Sequence, residues 1–239
     1  GVLEQEALAQ VIDGIANGCK QSGCALLGGE TAEMPGFYKK DKYDLAGFCV
    51  AIAEEFDLID GSEIGEGDVI IGIESSGIHS NGFSLVRKVL SSPDVDRKHF
   101  EDKEGSNFIE TLLKPTTIYV DFVNALLEAK YPINGMAHIT GGGLPENLPR
   151  CLPQGMNAVI NRHAWEIPQI FHWLKEVGQI PEEDLWNTFN LGVGFCLIMP
   201  ENCRDQAIDL SSKFGLKSWP IGRVEKSSGE EPQLIGLPC

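Results

Sequence analysis

The run Val69-Ile70-Ile71-Gly72-Ile73 empties into Ser75-Ser76-Gly77-Ile78-His79-Ser80-Asn81-Gly82. Phe83, Val86 and Leu90 then carry the chain away at helical spacing. A strand that ends in a small, polar turn and hands over to a helix leaves backbone N–H groups available at the turn, and the first turn of a helix attracts anions. The stretch predicts a turn that handles a phosphate-bearing substrate, with a histidine at its centre.

The same alternation runs through the chain. Glu4 to Gln21 has Leu8, Val11, Ile12, Ile15 and Cys19 on one helical face, and Gly23 stops the helix. Cys24 to Leu27 reads as a short buried strand and Tyr43 to Ala53 as a long one, apolar on both faces and so expected in a sheet covered on both sides. Asp60-Gly61-Ser62 and Gly65-Glu66-Gly67 form a Gly-rich acidic connector, which divides the chain into residues 1–60 and 61–239. In the second part, strands are expected at Val69 to Ile73, Met136 to Thr140, Ala158 to Asn161, Gly192 to Met199 and Ser218 to Val224. Helices are expected at Phe108 to Leu113, from Thr116 to Lys130 with Pro115 in the first turn, near Pro145, at Ile167 to Val177, Pro181 to Trp186 and Asn202 to Phe214. Ser91 to Asn107 reads as a polar surface excursion, and the last dozen residues as disordered. The class is α/β or mixed α+β.

A net charge of -16 argues against nucleic-acid or anionic-membrane partners, though Mg²⁺ and oriented amides can still receive an anionic metabolite. No apolar run reaches membrane-span length. The seven cysteines are scattered, without CxxC or zinc spacing, and read as reduced thiols of a cytoplasmic protein. Gly1 to Glu6 carries acid where a targeting peptide would carry base and enters a helix almost at once, which reads as a chain cut inside a domain.

Phosphate binding cannot use a Walker loop or a GxGxxG unit, because neither is present. Four turns are candidates. In Gly28-Gly29-Glu30-Thr31, a carboxylate after a glycine pair could hold a Mg²⁺ that bridges nucleotide phosphates, or could be a solvated turn residue. In the stretch after Ile73, Ser76, Ser80 and Asn81 offer hydrogen bonds and His79 can exchange a proton; the alternative is that Ser80 or Asn81 only caps the helix. Gly141-Gly142-Gly143, after Ala137-His138-Ile139-Thr140, can form an anion nest, with His138 either a core residue or a catalyst. Asn190, in Phe189 to Gly194, could contact ligand or belong to a tight bend.

These stretches together resemble the phosphoribosylformylglycinamidine cyclo-ligase (aminoimidazole ribonucleotide synthetase) family. The resemblance rests on Gln21 to Leu26, the GGETAEMPG string at Gly28 to Gly36, Tyr43 to Val50, the string from Ser75 to Lys88, Ala137 to Gly143, Glu146 to Arg150 and Thr188 to Gly194. It implies a two-domain, PurM-like architecture and the ATP-dependent closure of formylglycinamidine ribonucleotide to aminoimidazole ribonucleotide. It further implies Gly28, Gly29, Glu30 and Thr31 at the nucleotide, and Glu30 at Mg²⁺. His79 would stand where nucleotide and substrate meet, and Ser76, Ser80, Asn81, Asn190 and Gly141 to Gly143 would line the substrate. A homodimer through the N-terminal domain is implied as well.

The family's N-terminal portion, with its Asp-Gly-Val-Gly-Thr-Lys string, has no counterpart here, so residues 1–239 alone are expected to lack turnover. Two other readings compete. One is a related ATP-using enzyme such as thiamine-monophosphate kinase, selenophosphate synthetase or formylglycinamide amidotransferase; the other is a non-catalytic domain that keeps the fold.

Overall fold

The computed structural model describes residues 4–39, 42–92, 95, 100 and 107–238. Pro93, most of the expected polar excursion and Cys239 lie outside the described residues. The described chain divides into two units. One comprises residues 1–58 with 118–121, and the other residues 59–117 with 122–239.

In the first unit, α1 (Gln5–Gln21) forms as expected, but its apolar stripe stays open, with no residue of the helix buried and Ile12 47% exposed. The expected strands at Cys24 to Leu27 and Tyr43 to Ala53 do not form. Both segments are exposed and belong to no ladder, and Phe48 and Ile52 are each 99% exposed. A strand exists only by pairing, so an apolar, β-prone sequence without a neighbour cannot express its preference.

The second unit is built on one six-stranded sheet, ordered β2-β4-β1-β5-β3-β6. The strands are β1 (Val69–Glu74), β2 (Gly135–His138), β3 (Met156–Ile160), β4 (Val193–Met199), β5 (Ser218–Lys226) and β6 (Leu234–Ile235). All neighbours are antiparallel except β3 and β6. Strand β6 corrects the expectation of a disordered tail: Ala158 N–H donates to Gln233 O at 2.9 Å and anchors the last segment to β3. The helices are α2 (Phe83–Leu90), α3 (Phe108–Leu112), α4 (Val120–Glu128), α5 (Gly143–Asn147), α6 (Gln169–Gly178), α7 (Glu182–Trp186) and α8 (Arg204–Lys213).

Successive side chains of a strand point to opposite faces, and both faces of β1 are covered. Ile70 joins Val86, Phe171, Leu174 and Ile198 in one core, while Ile71 and Ile73 are buried on the other side. That double coverage explains why β1 carries no polar side chain from Val69 to Ile73 rather than alternating. Helix α4 starts at Val120, later than expected. Residues 114–117 instead form a strap outside any helix or strand, and its Pro115 carbonyl is taken by a side chain of the turn after β1.

Candidate functional site

Antiparallel pairing decides where the polar turns go. In the ladders, Glu74 at the end of β1 faces Val193 at the start of β4, and His138 at the end of β2 faces Phe195. The exits of β1 and β2 and the entrance of β4 therefore lie at one end of the sheet. Three candidate turns meet there: residues 75–82, 139–143 and 189–192. Two backbone bonds join them beyond the ladders, from Ser75 N–H to Gly192 O and from Ile139 N–H to Gly194 O, both 2.9 Å.

Asn190 fastens the first turn to the third. It is 2% exposed. Its Oδ1 accepts from Ser75 Oγ and from Gly192 N, and its Nδ2 donates to Gly77 O, each at 2.9 Å. A buried amide with both ends engaged orients backbone. The next residue, Leu191, is held at φ +47, and its carbonyl accepts from Trp165 Nε1 at 2.8 Å.

The turn after β1 is also tied to the 114–117 strap. Ser76 Oγ donates to Pro115 O at 2.6 Å, and Ser80 Oγ lies 3.2 Å from Thr116 Oγ1. His79 is 3% exposed, with φ +56, and its Nε2 accepts from Ser76 N at 3.2 Å and Thr117 N at 3.4 Å. Burial pushes its imidazole down to about 4, and the nearby His138, with ring centroids 6.5 Å apart, pushes the same way. Partial burial also lowers His138. The ordinary imidazole value of ~6.5 would leave either ring partly charged in neutral solution; here both favour the neutral form.

The Gly141 to Gly143 turn is shaped by an asparagine that the sequence did not single out. Asn147 Nδ2 donates to Gly141 O at 3.0 Å and to Gly143 O at 2.8 Å. Its Oδ1 accepts from Thr140 Oγ1 at 3.1 Å and Arg150 Nη1 at 3.3 Å, while Arg150 also pairs with Glu146. Gly143 has φ +59, and a Cβ there would collide with the backbone oxygens of Trp186 and Phe189. Gly82 is similarly required: at φ +74 it packs against the Phe189 ring, which a Cβ would strike. Asn81 reaches the same place, its Oδ1 lying 3.7 Å from where a Gly141 Cβ would stand.

The structure thus brings together Ser76, His79, Ser80, Asn81, Gly141, Gly142, Gly143 and Asn190. The hydroxyls of Ser76 and Ser80 and the amide of Asn190 are engaged within the protein. Beside the turn lies a cavity of about 260 Å³, lined by Ser75, Ser76, Gly77, Thr111, Lys114 and Gln169 among others, with Lys114 supplying a cation. Asn147 and Thr117 are what the sequence reading missed. The signal for Asn147 was an amide in a short helix right after three glycines, since Asn favours caps and local backbone bonds over helix interiors. Thr117 gave no signal, because its segment reads as helix.

Gly28, Gly29, Glu30 and Thr31 lie in the first unit, on exposed chain outside any helix or strand. No group of three or more His, Cys, Asp or Glu that could hold a metal occurs among the described residues. Glu30 is a hard oxygen donor of the type Mg²⁺ takes, but one carboxylate only. A Mg²⁺ there would fit as an ion completed by nucleotide phosphates and water, which is its usual mode in phosphoryl-transfer sites. Among the described residues, no helix is long and apolar enough to cross a membrane.

Comparison with known proteins adds a family. A family model described as AIR synthase related protein, C-terminal domain, matches residues 65–235, and its N-terminal-domain counterpart matches residues 1–53. The phosphoribosylformylglycinamidine cyclo-ligase of Prochlorococcus marinus (strain MIT 9313) is 57% identical over 239 residues, which is 100% of this chain and 69% of that protein. The protein of the same name from Synechococcus sp. (strain CC9902) is 56% identical over 239 residues, again 100% and 69%. Among solved structures, thiamine-monophosphate kinase from Stenotrophomonas maltophilia K279a superposes with a TM-score of 0.47 at 14% identity, over 76% of this chain and 54% of that one.

Proposed function

This chain belongs to the AIR synthase related family, and from that premise we propose that it carries out the reaction its relatives are named for. The reaction is the ATP-dependent closure of formylglycinamidine ribonucleotide to 5-aminoimidazole ribonucleotide, with release of ADP and phosphate. The observation that carries the reading is the meeting of three glycine- and amide-rich turns at one end of β1, β2 and β4, in a chain 57% identical to a named cyclo-ligase along its whole length.

The chemistry explains why such a site is needed. A formamide oxygen is a poor leaving group. Its attack on the γ-phosphorus of ATP expels ADP and turns that oxygen into phosphate ester. The amidine nitrogen then adds to the same carbon, loses a proton, and phosphate departs as the ring closes. Catalysis of such a transfer consists mainly of positioning and charge neutralisation. In this reading Gly28, Gly29 and Thr31 receive the nucleotide phosphates. Glu30 would supply one ligand to a Mg²⁺, which when bound would supply positive charge against the transferring phosphoryl group. Asn81 and the Gly141 and Gly142 N–H groups hold the substrate's phosphate and ribose, in a turn closed by the Gly143 N–H donating to Thr140 O. Ser76, Ser80 and Asn190 act by fixing the 75–82 turn.

A homodimer is part of the proposal. Phe48, Val50 and Ile52 alternate along one exposed segment, and Leu27 is exposed as well; a stable protein buries such a row against a partner. Turnover by residues 1–239 with that row uncovered is not expected. The assay uses the native protein with ATP, Mg²⁺ and formylglycinamidine ribonucleotide. ADP should appear in step with an aminoimidazole detectable by diazo coupling. ADP release that tracks thiamine monophosphate or selenide instead, or no ATP consumption by a folded dimer, overturns the reading.

A further inference from the structure

We infer that His79 is a positioning residue and not a proton carrier: its Nε2 accepts the amides of Ser76 and Thr117, its proton sits on Nδ1, and the ring clamps the 75–82 turn to the 114–117 strap. A ring nitrogen that accepts an N–H offers its lone pair and carries no proton. Two amides donate to this one, at 3.2 and 3.4 Å. The neutral ring has one proton, so it resides on the other nitrogen. As a base, the ring would have to turn Nε2 away from both amides and leave two part-buried N–H groups without their acceptor. As an acid, it would have to surrender Nδ1–H from a neutral imidazole and become an imidazolate, a far weaker acid than the imidazolium that histidine acids ordinarily use near neutral pH.

The neighbouring bonds point the same way. Ser76 Oγ to Pro115 O and Ser80 Oγ to Thr116 Oγ1 join the same two segments on either side of the ring. Residues separated by 36 to 39 positions are thereby fastened at three points. His79 holds φ +56, which a non-glycine residue keeps only where its surroundings over-determine it.

The kinetic part of this inference rests on the cyclo-ligase reading; the proton's location does not. Long-range proton–nitrogen NMR of the ¹⁵N-histidine-labelled native protein should find Nδ1 protonated and Nε2 bare at pH 7. An Nε2-bound proton or an imidazolium at that pH overturns the assignment, whatever the enzyme turns over. In the cyclisation assay, His79→Gln should recover at least tenfold of the kcat/KM lost by His79→Ala. The Gln oxygen can accept both amides but cannot relay a proton. The loss in His79→Ala should fall mainly on substrate KM. A folded His79→Gln protein as impaired as His79→Ala, with the loss in kcat, overturns the positioning role. If neither variant folds, the NMR result on the wild-type protein decides. If the native protein turns over a different substrate, the function proposed above fails while the tautomer stands.

Discussion

Asn190 Nδ2 donates to the Gly77 carbonyl at 2.9 Å across 113 positions of sequence, and through that one bond the entrance of β4 holds the turn that leaves β1. Asn190→Asp tests it cleanly. The oxygen that accepts from Ser75 and Gly192 is kept, and the donor is replaced by a charged oxygen facing the Gly77 carbonyl. With both groups buried, the substitution should cost about 3 kcal/mol of stability, read as a lower midpoint in urea unfolding. The kcat/KM of cyclisation should fall with it. An unchanged midpoint would mean that the bond does not order the turn.

Asn147 is expected to behave differently from a surface polar residue. Asn147→Ala removes both donors to the Gly141 and Gly143 carbonyls and should destabilise by about 1–3 kcal/mol. Because those carbonyls set the direction of the turn's N–H groups, KM for the phosphorylated substrate should rise more than KM for ATP. Equal rises would separate the 139–143 turn from the substrate.

Two glycines at positive φ provide a paired comparison. Gly143→Ala drives a Cβ into the Trp186 and Phe189 carbonyls, whereas Gly155, at φ +76, has open space around it. Gly155→Ala should cost only the left-handed backbone strain, about 1 kcal/mol. Gly143→Ala should add the collision and lose several times that. Thermal unfolding of the two variants side by side reads the difference directly; comparable losses would show that strain, not close approach, governs the turn.

The imidazole of His79 gives stability a pH dependence of known sign. Its folded value, about 4, lies below the ordinary 6.5 because burial disfavours the cation. Between those values the unfolded chain binds a proton that the folded protein does not. Stability attributable to this residue is therefore complete above pH 6.5 and is lost as pH falls towards 4, by on the order of 2–3 kcal/mol. His79→Gln should flatten that part of the profile of unfolding free energy against pH; a profile that keeps its slope would assign it to other groups.

Much of the second unit can be read from residues alone, since β1 and β4 carry long apolar runs that are buried by the unit's own side chains. The first unit could not be read that way. Tyr43 to Ala53 has the composition of a buried strand, but pairing is a property of two segments, and the described chain offers it no second. Likewise Thr116 to Lys130 carries helical spacing throughout. Helix formation waits until Val120 because Ser76, His79 and Ser80 compete for the backbone and side chains of 115–117, and that competition is invisible in a local window. At the site, glycines and asparagines signalled turns correctly. Which polar groups face inward depends on the sheet register, which places Asn190 beside Gly77 and Asn147 beneath the three glycines.

The strand order has a kinetic corollary. Strands β1, β4 and β2 lie side by side, yet they come from residues 69–74, 193–199 and 135–138, so each ladder closes a loop of dozens of residues. Loop closure must precede the reward of such distant pairings, which makes them slow. The convergence of the three turns can emerge only after both ladders have locked into register. A partly folded molecule with its helices already formed would therefore have no trace of the site, and recovery of ligand binding should lag behind recovery of helical signal during refolding.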